Sequence, residues 1–349
     1  MLWFAGLGIS GPDGLGINTV KILNQADIVY LEIFTNPIAK SHVAKIKKLV
    51  KGQLKLAPRW LVEDGKEILQ NAKKKKAVLL SYGDPYIATT HIELRTRASL
   101  EGIKIQTIHA ASGLTSLIGE CGLHYYKVGR PVTITKEIKP TTSAYYAIYH
   151  NLISGNHTLL PLEYDQNKNF FLDPKDAFAN LISTEKGELR KVIDKSSYAI
   201  VASRVGSKTQ QITAGKISSL QKIDFGKPPH TIIIPGKMHF TEVDALKTCV
   251  NCLDEPFDNS SKTSKISEQM IRKYTPMIRK VLKEIAPQFK EDKNISLVLE
   301  NAKHYVEDAE KFQSEGKDEL AILAIGYADG LVDALRMSKG MSTNDSVYT

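Results

Sequence analysis

Gly83-Asp84-Pro85 is the tripeptide around which chemistry could be organised. It follows Ala77-Val78-Leu79-Leu80, an apolar run of strand length, and precedes Ile92, Leu94 and Ala98 at helical spacing. In an open α/β sheet the carboxyl end of a buried strand faces a crevice, and the helix that follows offers free N–H groups, so ligands bind there. Gly-Asp-Pro is equally ordinary turn chemistry, and both readings stand on these residues alone. A second glycine stretch, Gly6-Leu7-Gly8-Ile9-Ser10-Gly11, follows the apolar run Leu2–Gly6 and matches G-x-G-x-x-G. Glu32 even ends the next apolar run, as a dinucleotide site requires. However, Pro12-Asp13-Gly14-Leu15-Gly16 delays any helix, so the third glycine cannot lie inside its first turn. That argues against nicotinamide or flavin and leaves a loop whose backbone approaches some other ligand.

The remaining motifs are weaker. Gly206-Ser207-Lys208-Thr209 ends like a phosphate-binding loop but lacks the glycine before the lysine and the earlier one, which speaks against nucleotide hydrolysis. Cys249-Val250-Asn251-Cys252 is a lone C-x-x-C with no second ligand pair, better read as two half-buried helix thiols than as zinc ligands. Cys121 has no marked histidine partner. His230, in Pro228-Pro229-His230-Thr231-Ile232-Ile233-Ile234, stands at the mouth of a buried strand, as a satisfied structural residue or as part of a site. Tyr125-Tyr126 and Tyr145-Tyr146 read as core or interface aromatics.

The elements that must position these residues alternate. Strand-length apolar runs at Leu2–Gly6, Ile28–Phe34, Gln53–Ala57, Ala77–Leu80, Ile103–His109, Val132–Thr135, Thr158–Leu162, Tyr198–Ser203 and Thr231–Pro235 are separated by helical stretches. Those stretches include Val20–Ala26, capped by Asn18, and Val62–Lys73. This is α/β architecture. The Gly- and Ser-rich span from Thr107 to Thr135 divides one lobe, 1–111, from another, 112–253. Residues 254–264 read as a polar, Pro-containing linker, 265–338 as a bundle of three helices, and 339–349 as a disordered tail. With 349 residues, several cores are possible. No apolar run approaches the ~20 residues that span a bilayer. The amino terminus reads as a first strand with no basic region before it, not as a signal peptide. Three cysteines fit a reducing cytoplasm. The net charge of +9 suits an acidic partner, but the lysines lack an interleaved aromatic signature, so a solvated basic face is the better reading than direct nucleic-acid binding.

Several segments together resemble the diphthine synthase family in its archaeal form, within the tetrapyrrole-methylase type of S-adenosylmethionine-dependent methyltransferases. They are Leu2–Gly8, Gly83–Ala98 (GDPYIATTHIELRTRA), Ile108-His109 with Ser112, Gly122–Gly129 (GLHYYKVG), His157–Leu160, Arg204 with Gly206-Ser207, and Asp224–His239 (DFGKPPHTIIIPGKMH). The match runs in order over roughly residues 1–245. Gly-Asp-Pro alone indicates only the wider class; the Ala-Thr-Thr-His continuation and the Pro-Pro-His segment narrow it. Ala111 and Gly113 depart from the pattern, standing where archaeal relatives commonly carry proline and a larger apolar residue.

The resemblance implies two α/β lobes with S-adenosyl-L-methionine held in the cleft between them, a homodimer, and no metal. Matching positions nominate Ile9, Asp84, Ile87, Ser112, Gly113, Leu162, Val205 and His230 for the cofactor. Backbone groups at Ile9, Ile87, Leu162 and Val205 would hold adenine and ribose, and Asp84 would accept hydrogen bonds or face the cationic end. The implied reaction is methyl transfer to the amino group of the modified histidine (3-amino-3-carboxypropyl-histidine) of elongation factor 2, repeated to trimethylammonium. No general base is nominated. The ring faces of Tyr82 and Tyr86 are candidates for stabilising the growing cation. The helical extension reads as an interaction or dimerisation module. The rival readings are a methylase of the same fold acting on RNA or a corrinoid, and a non-catalytic basic binding module.

Overall fold

The computed structural model describes residues 1–165, 168–188, 190–260, 263–289 and 292–341, with only the backbone at 138–140. The chain divides into two compact units, Met1–Thr263 and Ser264–Thr349. The expected tail lies mostly outside the described residues, since 342–349 are not among them.

The first unit opens with a parallel sheet of β1 (Leu2–Gly6), β2 (Ile28–Glu32), β3 (Gln53–Ala57), β4 (Ala77–Ser81) and β5 (Ile105–Ile108), ordered β3-β2-β4-β1-β5. β1, β2 and β4 are buried at every residue, so a sheet covered on both faces explains their unbroken apolar runs. The crossovers carry α1 (Ile17–Gln25), α2 (Lys40–Leu49), α3 (Arg59–Asp64), α4 (Lys66–Lys74) and α5 (His91–Leu100). β1 continues leftward to β2, and β4 continues rightward to β5. The order therefore reverses between β1 and β4, the position at which an open sheet leaves a crevice.

Two expectations change here. The first helix starts at Ile17 with Gly16 at its cap, so Asn18 lies inside it. The helix expected from Val62 to Lys73 begins earlier and is broken by Gly65, whose φ of 64° only glycine adopts cheaply.

After α6 (Gly113–Glu120) and α7 (Ile138–Ile153) the chain builds a second, mixed sheet. Its members are β6 (Thr158–Pro161), β9 (Tyr198–Ser203), β10 (Gln211–Lys216), β11 (His230–Ile234) and β12 (Asn251–Cys252), ordered β12-β10-β9-β11-β6. A small ribbon, β7 (Tyr164–Asp165) with β8 (Phe170–Phe171), and helices α8 (Pro174–Glu188), α9 (Ile217–Leu220) and α10 (Phe240–Cys249) complete it. β11 runs antiparallel to both β6 and β9. The start of β11 therefore lies beside the ends of the other two. Val132–Thr135 forms no strand and contributes an isolated bridge, Ile134 to Leu162. Cys249 is exposed at the end of α10, and Cys252 lies on β12, so the two thiols do not share a helix.

The expected linker is tied down at its start. Asn259 is buried and exchanges hydrogen bonds with the Tyr198 backbone, and the Asp254 carboxylate accepts from the Lys216 N–H at 2.9 Å. The second unit consists of α11 (Ile266–Ile285), α12 (Lys293–Ser314) and α13 (Asp318–Ser338) around Ile271, Ile278, Val306, Ile325 and Val332. Each helix carries apolar residues at three- and four-residue spacing, which builds such a bundle.

Candidate functional site

Gly8 and Gly83, both at positive φ, exchange backbone hydrogen bonds of 3.1 and 3.0 Å just past β1 and β4. Gly6 lets a third loop join them. A Cβ there would come within 2.5 Å of the Gly83 carbonyl oxygen and 2.6 Å of the Ala110 Cβ. Without a side chain on Gly6, the loops after β4 and β5 close over the end of β1, although β4 and β5 are not neighbours.

Asp84 is buried in that closure. Its Oδ1 accepts from the Tyr86 N–H at 2.9 Å, and its Oδ2 accepts from His109 Nδ1 at 2.8 Å and the Ala110 N–H at 3.2 Å. The carboxylate is therefore engaged with its own loops. Beyond it, Ile87 and Ala88 (φ 56°) form an exposed turn. The Pro85 carbonyl anchors this turn by accepting from Thr89 Oγ1 at 2.6 Å and from His91 Nδ1 at 2.9 Å. His91 is buried with Glu32, their nearest side-chain atoms 3.6 Å apart, and burial lowers its pKa against the pull of that carboxylate.

Both tyrosines proposed for the cation have other partners. The Arg95 guanidinium lies over the Tyr86 ring, 5.1 Å from its centroid, and Phe4 packs at 5.5 Å. Tyr82 is half-buried and donates to the Ile9 carbonyl at 3.4 Å.

His109 was not among the nominated residues. Asp84 fixes its Nδ1, while its side chain is 70% exposed at the carboxyl edge of the sheet, three residues before Ser112. The tautomer set by that bond leaves Nε2 as a lone-pair acceptor. A buried carboxylate orienting an exposed imidazole is an arrangement for moving protons.

From the second sheet, Leu162, Val205 and His230 come to one edge, because β6 and β9 end where β11 begins. The Leu162 N–H donates to the His230 carbonyl at 3.1 Å. The His230 ring donates from Nε2 to the Gly226 carbonyl at 3.2 Å, and its Nδ1 accepts from Ser203 Oγ at 2.8 Å. Burial, with Arg204 nearby, pushes its pKa down to about 4, so the ring is neutral at physiological pH. It fixes the sheet edge.

Ile9 joins the two sets. A Cβ on Gly206, at φ 80°, would lie 2.5 Å from Ile9 Cγ1, and one on Gly113 would lie 4.0 Å from Ile9 Cγ2. Ile9 and Gly113 thus approach each other beside Gly206, the residue after Val205. Asp84 and Ser112 lie on the loops closing over β1, while Ile87 sits on the exposed turn beyond Asp84. Leu162 and His230 share the Val205 edge. A Cβ built on Gly8 would find only the Gly14 carbonyl, 4.0 Å away, and one on Gly83 nothing nearer than 3.7 Å. At both positions the loops present backbone where another residue would carry a side chain. Ser112 caps α6 without a side-chain bond, leaving first-turn N–H groups available. Such a cradle fits an adenosyl amino acid. Replacing Gly206 with alanine should displace Ile9 and weaken donor binding about tenfold, the loss of ~1.4 kcal/mol of contact, measurable by titration calorimetry.

Comparison with known proteins decides the family. Residues 1–221 match the model of the Tetrapyrrole (Corrin/Porphyrin) Methylases. The chain belongs to the tetrapyrrole methylase family. As a tetrapyrrole methylase it is an S-adenosylmethionine-dependent methyltransferase. It is 34% identical over 252 residues to a diphthine synthase of Methanocaldococcus jannaschii, covering 71% of this chain and 98% of that protein. It is 33% identical over 268 residues to one of Methanosarcina mazei, covering 74% and 99%. A crystal structure of diphthine synthase superposes with a TM-score of 0.63 at 28% identity, over 72% of this methylase and 96% of that chain. A conserved hypothetical protein from Aeropyrum pernix K1 shares the fold at a TM-score of 0.68 and 22% identity, over 75% and 94%. Residues 273–341 match a family of unknown function (DUF357). Among the described residues, no helix is long and apolar enough to cross a membrane, and no group of three His, Cys, Asp or Glu could hold a metal ion.

Proposed function

We propose that this methylase trimethylates the amino group of the 3-amino-3-carboxypropyl-histidine of elongation factor 2, giving diphthine in diphthamide biosynthesis, and acts as a cytoplasmic homodimer. The observation that carries the reading is the Asp84–His109 pair opening at the edge of a backbone-lined cradle. When bound, S-adenosylmethionine supplies an electrophilic methyl group on sulfur. The residues to hold it are Ile9 from the first lobe and Ser112, Gly113, Leu162, Val205 and the His230 backbone from the second.

An alkylammonium has no lone pair, so each transfer to nitrogen needs a neutral amine. His109 Nε2 is the acceptor for the departing proton, with Asp84 stabilising the imidazolium through Nδ1. The loops closed over Gly6 keep that pair in register with α6, and Ile9 against Gly206 brings the lobes together to exclude water. Alignment and desolvation supply the rest of the acceleration. Labelled S-adenosylmethionine, offered with both elongation factor 2 carrying the precursor residue and ribosomal RNA, should mark the factor alone. Label on RNA would overturn the reading.

A further inference from the structure

Helix α13 is apolar all round for much of its length. From Leu320 through Ala328 it carries no charged residue. One side packs into the bundle core through Ala321, Ala324, Ile325, Ala328, Val332 and Leu335. The other side presents Leu320 (45% exposed), Leu323 (56%), Tyr327 (55%) and Met337 (61%) to solvent, with Gly330 and Ala334 exposed between them. These six positions alternate in steps of three and four, the spacing of a coiled-coil seam. A helix with apolar residues on every side is ordinarily covered on every side.

The order of residue sizes along the seam points to what covers it. We propose that the seam of α13 pairs with α13 of a second copy of this chain, antiparallel about a two-fold axis near Ala328-Asp329. That register sets Tyr327 opposite the second copy's Gly330, Leu323 opposite Ala334, and Leu320 opposite Met337. Large residues meet small ones at the two inner pairs, and symmetry repeats each match. A Cβ built on Gly326 or Gly330 meets nothing within 4 Å, so each copy offers a hollow for the other's tyrosine. The ring that would fill it is already braced, because Tyr327 stacks on Tyr305 at 5.4 Å and 23°.

The charges at the ends of the helix are used within the bundle: Asp318 accepts from Lys265 and Ser267, Arg336 pairs with Asp333, and Lys339 lies over the Phe289 ring. They leave the seam itself apolar, and antiparallel pairing also opposes the two helix dipoles favourably. Parallel pairing would align the dipoles and set Tyr327 against Tyr327. A partner of different sequence would have no need of this internal complementarity.

The pairing rests on no catalytic reading and is tested without activity. In the full chain carrying Cys249→Ser, the pair Leu323→Cys and Ala334→Cys should give a reversible disulfide-linked dimer on mild oxidation. Either substitution alone should not, because eleven residues of helix separate like positions of an antiparallel pair by about 16 Å. Adding Tyr327→Glu, at an exposed position, should abolish the band while the circular dichroism stays that of the parent. No dimer from the double variant, an equal band from either single variant, or a band that survives Tyr327→Glu would each overturn the pairing. The first outcome includes coverage of the seam by the methylase lobes or by a different protein.

Discussion

Replacing His109 with alanine should lower kcat about 10²- to 10³-fold while leaving donor affinity close to that of the parent protein. That range lies within the usual contribution of a positioned general base, about 10²- to 10⁴-fold. The imidazole is held at Nδ1 by Asp84 and lies largely in solvent. Its removal therefore leaves Asp84 its bonds from the Tyr86 and Ala110 N–H groups and leaves the backbone around the site in place. Added imidazole should restore part of the lost rate, which a merely structural histidine would not allow. Asp84→Asn should be worse in a different way. It weakens the hold on His109 and also disturbs the bonds from the Tyr86 and Ala110 N–H groups, so donor binding should fall along with kcat. A His109→Ala enzyme within threefold of the parent rate would remove this residue from the mechanism.

The second large effect concerns stability. Glu242, fully buried on α10, is the hub of the second lobe. Its Oε1 accepts from the His124 N–H and His157 Nε2, both at 2.8 Å. Its Oε2 accepts from Lys127 Nζ at 2.6 Å and the His239 N–H at 2.7 Å. Burial alone would raise its pKa, but these bonds outweigh burial and bring it down to about 2. A carboxylate whose folded pKa lies below its ordinary 4.5 binds fewer protons folded than unfolded. Its contribution of about 3 kcal/mol is therefore present above pH ~5 and lost as pH falls toward 2. His157, kept neutral chiefly by burial, acts in the same direction from about pH 6.5 downward, because the unfolded chain takes up the proton first. Glu242→Gln should lower Tm at pH 7 by about 10 °C and flatten its acid dependence below pH ~5. A Tm within ~2 °C of the parent at pH 7 would contradict the role given to the hub.

The first lobe was legible because its three central strands are buried on both faces. Leu2–Gly6 and Ala77–Ser81 are apolar almost without interruption and end at glycine or serine. β10 was not, because Gln211–Lys216 mixes polar residues with a glycine and owes its place to pairing with β9. The break at Gly65 was hidden by apolar spacing that continues across it from Leu61 to Ala72, and only the backbone angle reveals it.

In the site, single loops could be read from strand–glycine punctuation, but the partnership of Asp84 with His109 could not. The two residues lie on loops after strands that are not neighbours, and they meet only because Gly6 carries no side chain between them. Nor does sequence reveal that both His230 ring nitrogens are bonded within the protein. A histidine at a strand mouth looks the same whether its ring faces a ligand or a serine.

A crystal structure with S-adenosylhomocysteine tests the central claim most directly, because the account requires one ligand to touch loops of both lobes at once. It predicts the nucleoside between Ile9 and Gly113 on one side and Leu162, Val205 and the His230 backbone on the other, with His109 at the open edge. A ligand resting on the Gly6–Gly11 loop alone, out of reach of Val205 and His109, would contradict it.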